Sequence, residues 1–380
     1  MAAGLAAVAI ACAVASNAGA QSPVAAVPLG PPTATLDHDF SQVRGVRELP
    51  DGRVLVTDRL EERLYVASFT TNALVSISRP GRGPLEFHLP TALIPFSGDS
   101  TLLVDEGNSR LAVIGPDLSI HRSFALRLPG IGVPMVTRGV DAQGRFHVQI
   151  PGWLSNARER GDSVWLVRFD PARGGVDTLA SLKETTSPPP RDGRQLGIPF
   201  VPFAAQDNWT VGPDGRVALV RATPYHVEWR APDGRLTRGP SVVHTPIRVT
   251  TDDRVAITRS FLANAPIGGR DPGGGMSAAP ADLLADRRIR EVTAHNTLAE
   301  VMGPFTGAPP LIDAAGALWV ERTVRTGAPG EWDVFDASGR LVRRVALPVG
   351  RRLVGIGRGT LYLVAADEDG IERLERYAAP

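Results

Sequence analysis

Hydrophobic and polar positions alternate along this chain in one repeating phrase, a tight Asp/Gly turn followed by a short aliphatic run. It reads Asp51-Gly52-Arg53-Val54-Leu55-Val56 and then Gly98-Asp99-Ser100-Thr101-Leu102-Leu103-Val104. It returns with turn glycines Gly144, Gly215, Gly316 and Gly359, each leading into residues such as Phe146-His147-Val148 or Leu361-Tyr362-Leu363-Val364. Turn residues before β-prone runs predict hairpins. A second turn follows in several copies, as at Pro116-Asp117, Pro232-Asp233-Gly234 and Ser338-Gly339, so each unit holds four strands. Six four-stranded units in series predict an all-β, six-bladed β-propeller with antiparallel blades.

The spacing of the turn glycines locates the irregular parts. Gly52, Gly98 and Gly144 stand 46 residues apart, whereas 71 separate Gly144 from Gly215 and 101 separate Gly215 from Gly316. The extra residues form insertions at 150–163, 183–206, 244–309 and 323–330. All fall in 2→3 loops or in connections between blades, which share one face of an up-and-down ring. Loops held by a rigid scaffold are where binding and catalysis concentrate. The 244–309 insertion between blades 4 and 5 is predicted to be partly helical. Thr251-Asp252-Asp253 opens a helix over 255–263, a Gly/Pro-rich stretch covers 266–279, and helical spacing resumes over 280–302. The last unit lacks an outer strand, and residues 33–40 are expected to supply it and close the ring.

Composition narrows the classes. Hydrophobic residues at 43% suffice for a core, and a formal net charge of +1 leaves no electrostatic footprint for nucleic acid. Residues 1–20 are apolar and end Ala18-Gly19-Ala20, the pattern of a signal peptide, so the chain is expected to be exported to the periplasm or beyond. Residues 21–32 then read as a linker and 33–380 as the propeller, a monomer with no transmembrane segment. Cys12 is the one cysteine, and it sits poorly for lipid attachment. Cleavage after Ala20 leaves no thiol chemistry.

One phrase is more specific. Gly81-Arg82-Gly83-Pro84-Leu85-Glu86-Phe87, followed by Pro90, resembles the opening of NHL-repeat propellers, with Leu85 standing where that family has Gly. Leu103-Val104-Asp105-Glu106-Gly107-Asn108-Ser109-Arg110-Leu111 is similar to a second NHL phrase, and Val56-Thr57-Asp58 with Arg63-Leu64 is a weaker copy. The overall pattern resembles secreted bacterial six-bladed propellers. The chemistry of the phrase is structural: Asp105 suits an Asx-type turn and Arg110 can pair with it across the hairpin.

Catalytic signatures are sparse. The seven histidines, His38, His88, His121, His147, His226, His244 and His295, form no local pair with metal-ligand spacing. No Gly-x-Ser-x-Gly elbow occurs. Asp58, Asp105 and Glu321 end second strands on the inserted face, where a Ca²⁺-dependent lactonase-type or lyase-type enzyme would gather oxygen ligands, but second strands do not line the axis. No cofactor is predicted on the main reading. That reading starts from two nearly identical phrases, Val43-Arg44-Gly45-Val46 and Thr137-Arg138-Gly139-Val140, each just ahead of a turn. They place Arg44 and Arg138 near the channel mouth, where guanidinium forks suit a carboxylate, phosphate or sulfate. His88 and Trp153 are candidates to flank such a ligand. The expectation is a binding protein for a small anionic molecule, peptide or glycan. A metal-dependent propeller enzyme and a protein-interaction platform built on 244–309 are the alternatives.

Overall fold

A computed structural model describes residues 20–22, 24–125, 137–150, 162–185, 201–264, 268–270, 276–277, 285–295 and 298–380. Six antiparallel sheets follow one another along the chain, each starting at its inner strand. The inner strands are Val43–Glu48, Pro90–Pro95, Thr137–Val140, Asn208–Val211, Leu311–Ile312 and Arg351–Ile356 in blades 1 to 6. All six turn glycines have positive φ, from 62° at Gly98 to 83° at Gly52, the region in which a Cβ is costly.

Alternation within the strands explains the ring. In Val54–Asp58 of blade 1 every residue is buried. Val54 and Val56 join Tyr362 and Val364 of blade 6, whereas Leu55 turns the other way onto Leu103 and Ala112 of blade 2. Equivalent clusters fill the other four junctions: blades 2 and 3 around Val104 and Val148, 3 and 4 around Leu166 and Trp209, 4 and 5 around Val227 and Phe335, 5 and 6 around Trp332 and Leu363. A strand buried on both faces reads as a continuous aliphatic run, which is why these strands stood out.

The ring closes where expected. Ala34–Thr35 pairs antiparallel with Glu372–Ala378 of blade 6, and Phe40 bridges Glu372. The reading of 21–32 as a linker needs correction. Ala26–Pro28 adds a parallel fifth strand to the outer edge of blade 5, against Leu341–Ala346. Gln21 bridges Val242, and its side-chain amide bonds both the N–H and the carbonyl of Leu341. An outer edge carries unpaired backbone groups, and a Pro-containing segment can satisfy them from one side.

Within the 244–309 insertion, α1 (Thr251–Asn264) and α2 (Asp286–His295) share a small core of Leu262, Ile289 and Val292. A ribbon of Ile247–Arg248 with Val301–Met302 carries them. The cap falls one residue earlier than the sequence indicated. Thr250 Oγ1 accepts the Asp253 N–H at 3.2 Å while Asp253 Oδ2 accepts the Thr250 N–H at 2.9 Å, a reciprocal capping box. The second helix is shorter than the predicted 280–302. Of the Gly/Pro stretch, Gly268–Arg270 pairs with Met276–Ser277, and the rest lies outside the described residues.

Candidate functional site

The inner strands of blades 1, 2, 3 and 6 each carry one irregularity in their pairing with the second strand. In blade 1, Val43 pairs with Asp58 and Gly45 with Thr57, which leaves Arg44 out of register. Blade 3 skips Arg138 in the same way, and blade 6 skips Val354. Such a bulge takes one side chain out of the alternation that otherwise sends it into a blade junction. The glycine that follows allows close approach: a Cβ on Gly45 would lie 2.6 Å from the carbonyl oxygen of Thr91 in blade 2, and one on Gly355 would lie 2.6 Å from that of Val46. The repeated Arg-Gly phrase is thus a bulge near the start of an inner strand.

Equivalent positions do not give equivalent roles. Arg138 donates to Asn208 Oδ1 and, at 3.1 Å, to the Trp209 carbonyl, and its guanidinium stacks 5.4 Å from the Trp209 ring. Burial of its charge, opposed by Glu184, brings it down to about 10. Arg138 is a strut between blades 3 and 4, and the structure does not bring it together with Arg44. Trp209 is core, with its indole N–H on Gln149 at 2.9 Å.

Arg44 keeps different company. Its charge is held down to about 10 by burial and then by two like charges, Arg352 and Arg59, with Glu106 and Glu372 acting in the opposite sense. Arg352 opens the inner strand of blade 6 and donates to Glu372 at 2.8 Å and to the Val43 carbonyl at 3.1 Å. Arg59, 1% exposed, follows the second strand of blade 1 and lies 3.8 Å from Glu106 in the matching turn of blade 2. Burial raises Glu106 against the pull of Arg59 and Arg44. On the blade 5 side, Glu321 accepts the Thr306 hydroxyl at 2.7 Å and is raised by burial, against that hydrogen bond and the charge of Arg352. Arg44, Arg59 and Arg352 with Glu106 and Glu372 thus share one charged neighbourhood where blades 1, 2 and 6 adjoin, and Glu321 of blade 5 feels the charge of Arg352. Arg59, Arg352, Glu106 and Glu372 were not singled out from the sequence. No local signal marked them: Arg352 is paired in register and Val354, not an arginine, holds the bulge position ahead of Gly355.

His88 serves the joint between blades 1 and 2. Its N–H donates to Asp105 at 2.9 Å, its ring Nδ1 meets the Glu62 carboxylate, and its carbonyl accepts from Gly107 at 2.8 Å. Trp153 lies outside the described residues. His147 is fully buried and borders a cavity of about 30 Å³ lined by Arg168, Leu179 and Val217.

The NHL-like phrase is accounted for by turns. Asp105 accepts Asn108 Nδ2 at 2.8 Å and Arg110 Nε at 2.7 Å, and Arg110 also donates to the Gly83 carbonyl at 2.9 Å. Glu86 accepts the N–H groups of Arg82 and Gly83 at 2.9 and 2.8 Å. Asp58 accepts four backbone N–H groups, from Ser41, Gln42, Leu60 and Glu61. Asp58 and Asp105 are thus bound into their own turns. Among the described residues no cluster of three or more His, Cys, Asp or Glu side chains is arranged to hold a metal ion.

No protein-family model and no curated protein matches the chain. Solved structures of similar fold include a gluconolactonase from Xanthomonas campestris, 12% identical over 93% of this chain and 99% of that one, with a TM-score of 0.43. A calcium-binding protein, regucalcin, from Agrobacterium tumefaciens is 13% identical over 92% and 96%, with a TM-score of 0.40. A virginiamycin B lyase from Staphylococcus aureus is 11% identical over 91% and 98%, with a TM-score of 0.39.

Proposed function

We propose that this protein captures a small anionic molecule at the channel mouth, with Arg44, Arg59 and Arg352 as the cationic group. The observation that carries the reading is Arg352 of blade 6 bonded at 3.1 Å to the carbonyl of Val43, the residue before Arg44, whose charge is held down first by burial and then by Arg352 and Arg59. Like charges gathered in a partly desolvated recess lower their mutual repulsion by taking up an anion. Calorimetric titration with sulfate, phosphate and small carboxylates tests this. Binding that Arg44→Ala removes supports it; an absence of binding, or binding indifferent to both Arg44→Ala and Arg352→Ala, refutes it.

A second reading, turnover of the captured molecule, is favoured by Glu321 and Glu106, two half-buried carboxyls whose desolvation raises them, each within reach of one of these arginines. Carboxyls tuned upward by burial are suited to general acid–base work. An ester, lactone and lyase substrate screen, repeated after chelation and after calcium addition, tests it, and absence of turnover in all conditions counts against it. The apolar segment ending at Ala20 makes an exported, monomeric protein part of the same proposal.

A further inference from the structure

We propose that a recess between blades 3 and 4, at the short-turn end of their junction, binds a small inorganic anion the size of chloride or nitrate, held by His147, Arg168 and Arg230. This second site shares no residue with the channel mouth and does not rest on the reading of that mouth.

His147 stands three residues after the turn glycine Gly144. The same place is held by Leu55, Ala218, Trp319 and Tyr362 after Gly52, Gly215, Gly316 and Gly359. Each of those four packs into the hydrophobic cluster shared with the following blade. Blade 3 puts an imidazole there instead. His147 is 0% exposed, and neither ring nitrogen has a hydrogen-bond partner in the protein. The ring comes near the Arg145 backbone without reaching hydrogen-bond geometry. A neutral imidazole carries one donor and one acceptor, and an imidazolium carries two donors. Polar groups left unmet at a buried position are costly, so a position that four other blades fill with apolar or aromatic side chains gains an imidazole only if something bonds it.

Strand register brings two guanidinium groups to the same recess. His147 pairs with Arg168 across blade 3, so both side chains lie on one face of that sheet. In blade 4, Arg230 pairs with Val217, and Val217 belongs to the cluster that joins the two blades. His147, Arg168 and Arg230 line one cavity of about 30 Å³, with Gly215 and Pro232 from the turns of blade 4. A cavity of ~10–15 Å³ already holds a water, so this one admits an ion of a few atoms. Arg168 is half-buried and shares its charge with Asp177 at 2.9 Å. Arg230, also half-buried, has no ion pair among the described residues. The other charges acting on His147 are Arg145 and Asp141, which bond each other at 2.8 Å. Arg230 is therefore the uncompensated charge, and an anion is the ligand that it and the imidazole N–H both suit. Burial holds His147 down at about 4, with Arg168 and Arg145 acting in the same sense and Asp141 opposing. A bound anion counters the two arginines and favours the imidazolium, so binding should tighten in acid.

Nitrate is the probe, titrated into the full chain at constant ionic strength and followed by ring-nitrogen NMR of labelled histidine. His147→Leu, which matches Leu55 of blade 1, identifies the His147 resonances by their loss. Nitrate should move them saturably, more tightly at about pH 5 than at about pH 7. Chloride should compete, while sulfate, too large for the recess, should leave them in place. Arg230→Gln removes a guanidinium without breaking an ion pair and should weaken nitrate by about tenfold or more, the loss of one charge-assisted contact. A saturable change that Arg230→Gln leaves as tight as before overturns the inference. So does the absence of any saturable change at His147 in the wild-type protein at both pH values, an outcome that needs no variant to fold. Either result leaves the mouth reading standing on its own sulfate titration.

Discussion

The paired arginines have different roles on the proposed reading, Arg44 meeting the ligand and Arg138 bracing two blades, and replacing each with alanine should give different outcomes. Arg138→Ala removes hydrogen bonds to Asn208 and to the Trp209 carbonyl at 3.1 Å, along with stacking on the Trp209 ring. Hydrogen bonds from a charged donor contribute ~1.5–3 kcal/mol and a cation–π contact about 0.5–1 kcal/mol. Part is returned, because a charge no longer has to be desolvated between blades 3 and 4. The net loss should be about 2 kcal/mol. With an m-value of at least ~3 kcal/mol/M for a chain of this size, the urea midpoint falls by up to about 0.7 M. Arg44→Ala relieves the repulsion from Arg352 and Arg59 but also loses the attraction of Glu106 and Glu372, and its deciding readout is affinity rather than the midpoint. Its cost should appear in sulfate affinity, as the loss of one charge-assisted contact, about 10- to 150-fold. Urea unfolding followed by tryptophan fluorescence, with calorimetry on the same two proteins, gives both readings. Equal loss of stability in the two variants with affinity unchanged in both would show that Arg44 is a second strut.

Three further outcomes follow from other parts of the ring. His147 is held at about 4 by burial, against its ordinary 6.5, with Arg168 and Arg145 acting in the same sense and Asp141 opposing. The unfolded chain takes up this proton below 6.5 and the folded chain does not, so the contribution of His147 is complete above 6.5 and falls as the pH drops to 4. The ceiling is about 3 kcal/mol, and His147→Leu should flatten the difference between urea midpoints at neutral and acid pH. Asp253 ties α1 to the 323–330 loop through the Thr326 N–H at 3.2 Å and hydroxyl at 2.7 Å. Burial would raise it, but the bonds from Thr250 and Thr326 prevail and bring it to about 2, so its tie is complete above 3.8 and lost as the pH falls through 2. Asp253→Ala should speed amide exchange in α1 at neutral pH while leaving the blades protected; unchanged exchange refutes the tie. Gly45→Ala and Gly355→Ala each place a Cβ 2.6 Å from a backbone oxygen of the next blade. Each should cost about 1–3 kcal/mol or more, read as a lower midpoint; unchanged midpoints would mean that the inner strands can move apart.

Much of the ring could be read from local pattern. Gly52, Gly98, Gly144, Gly215, Gly316 and Gly359 all adopt the left-handed backbone their turns require. The aliphatic runs behind them mark strands buried on both faces. The closing strand was legible because blade 6 was one strand short. The role of Ala26–Pro28 was not, since its partner is an outer edge in blade 5, distant in sequence and bearing no complementary motif. Of the mouth, Arg44 was legible and its setting was not.

The chain itself therefore determined what depends on neighbours in sequence: six hairpins, their turn chemistry, the Asp105–Arg110 clasp and the Arg-Gly bulge. Tertiary structure decided which bulge arginine became a strut and which met other charges. Arg138 faces an inner strand that begins Asn208-Trp209 and offers acceptors, whereas Arg44 faces Arg352, brought round from the far end of the chain by ring closure. A hairpin is specified by bonds a few residues apart. A site between blades is specified by which blades the closed ring sets side by side, as when Arg352 of blade 6 bonds the Val43 carbonyl of blade 1.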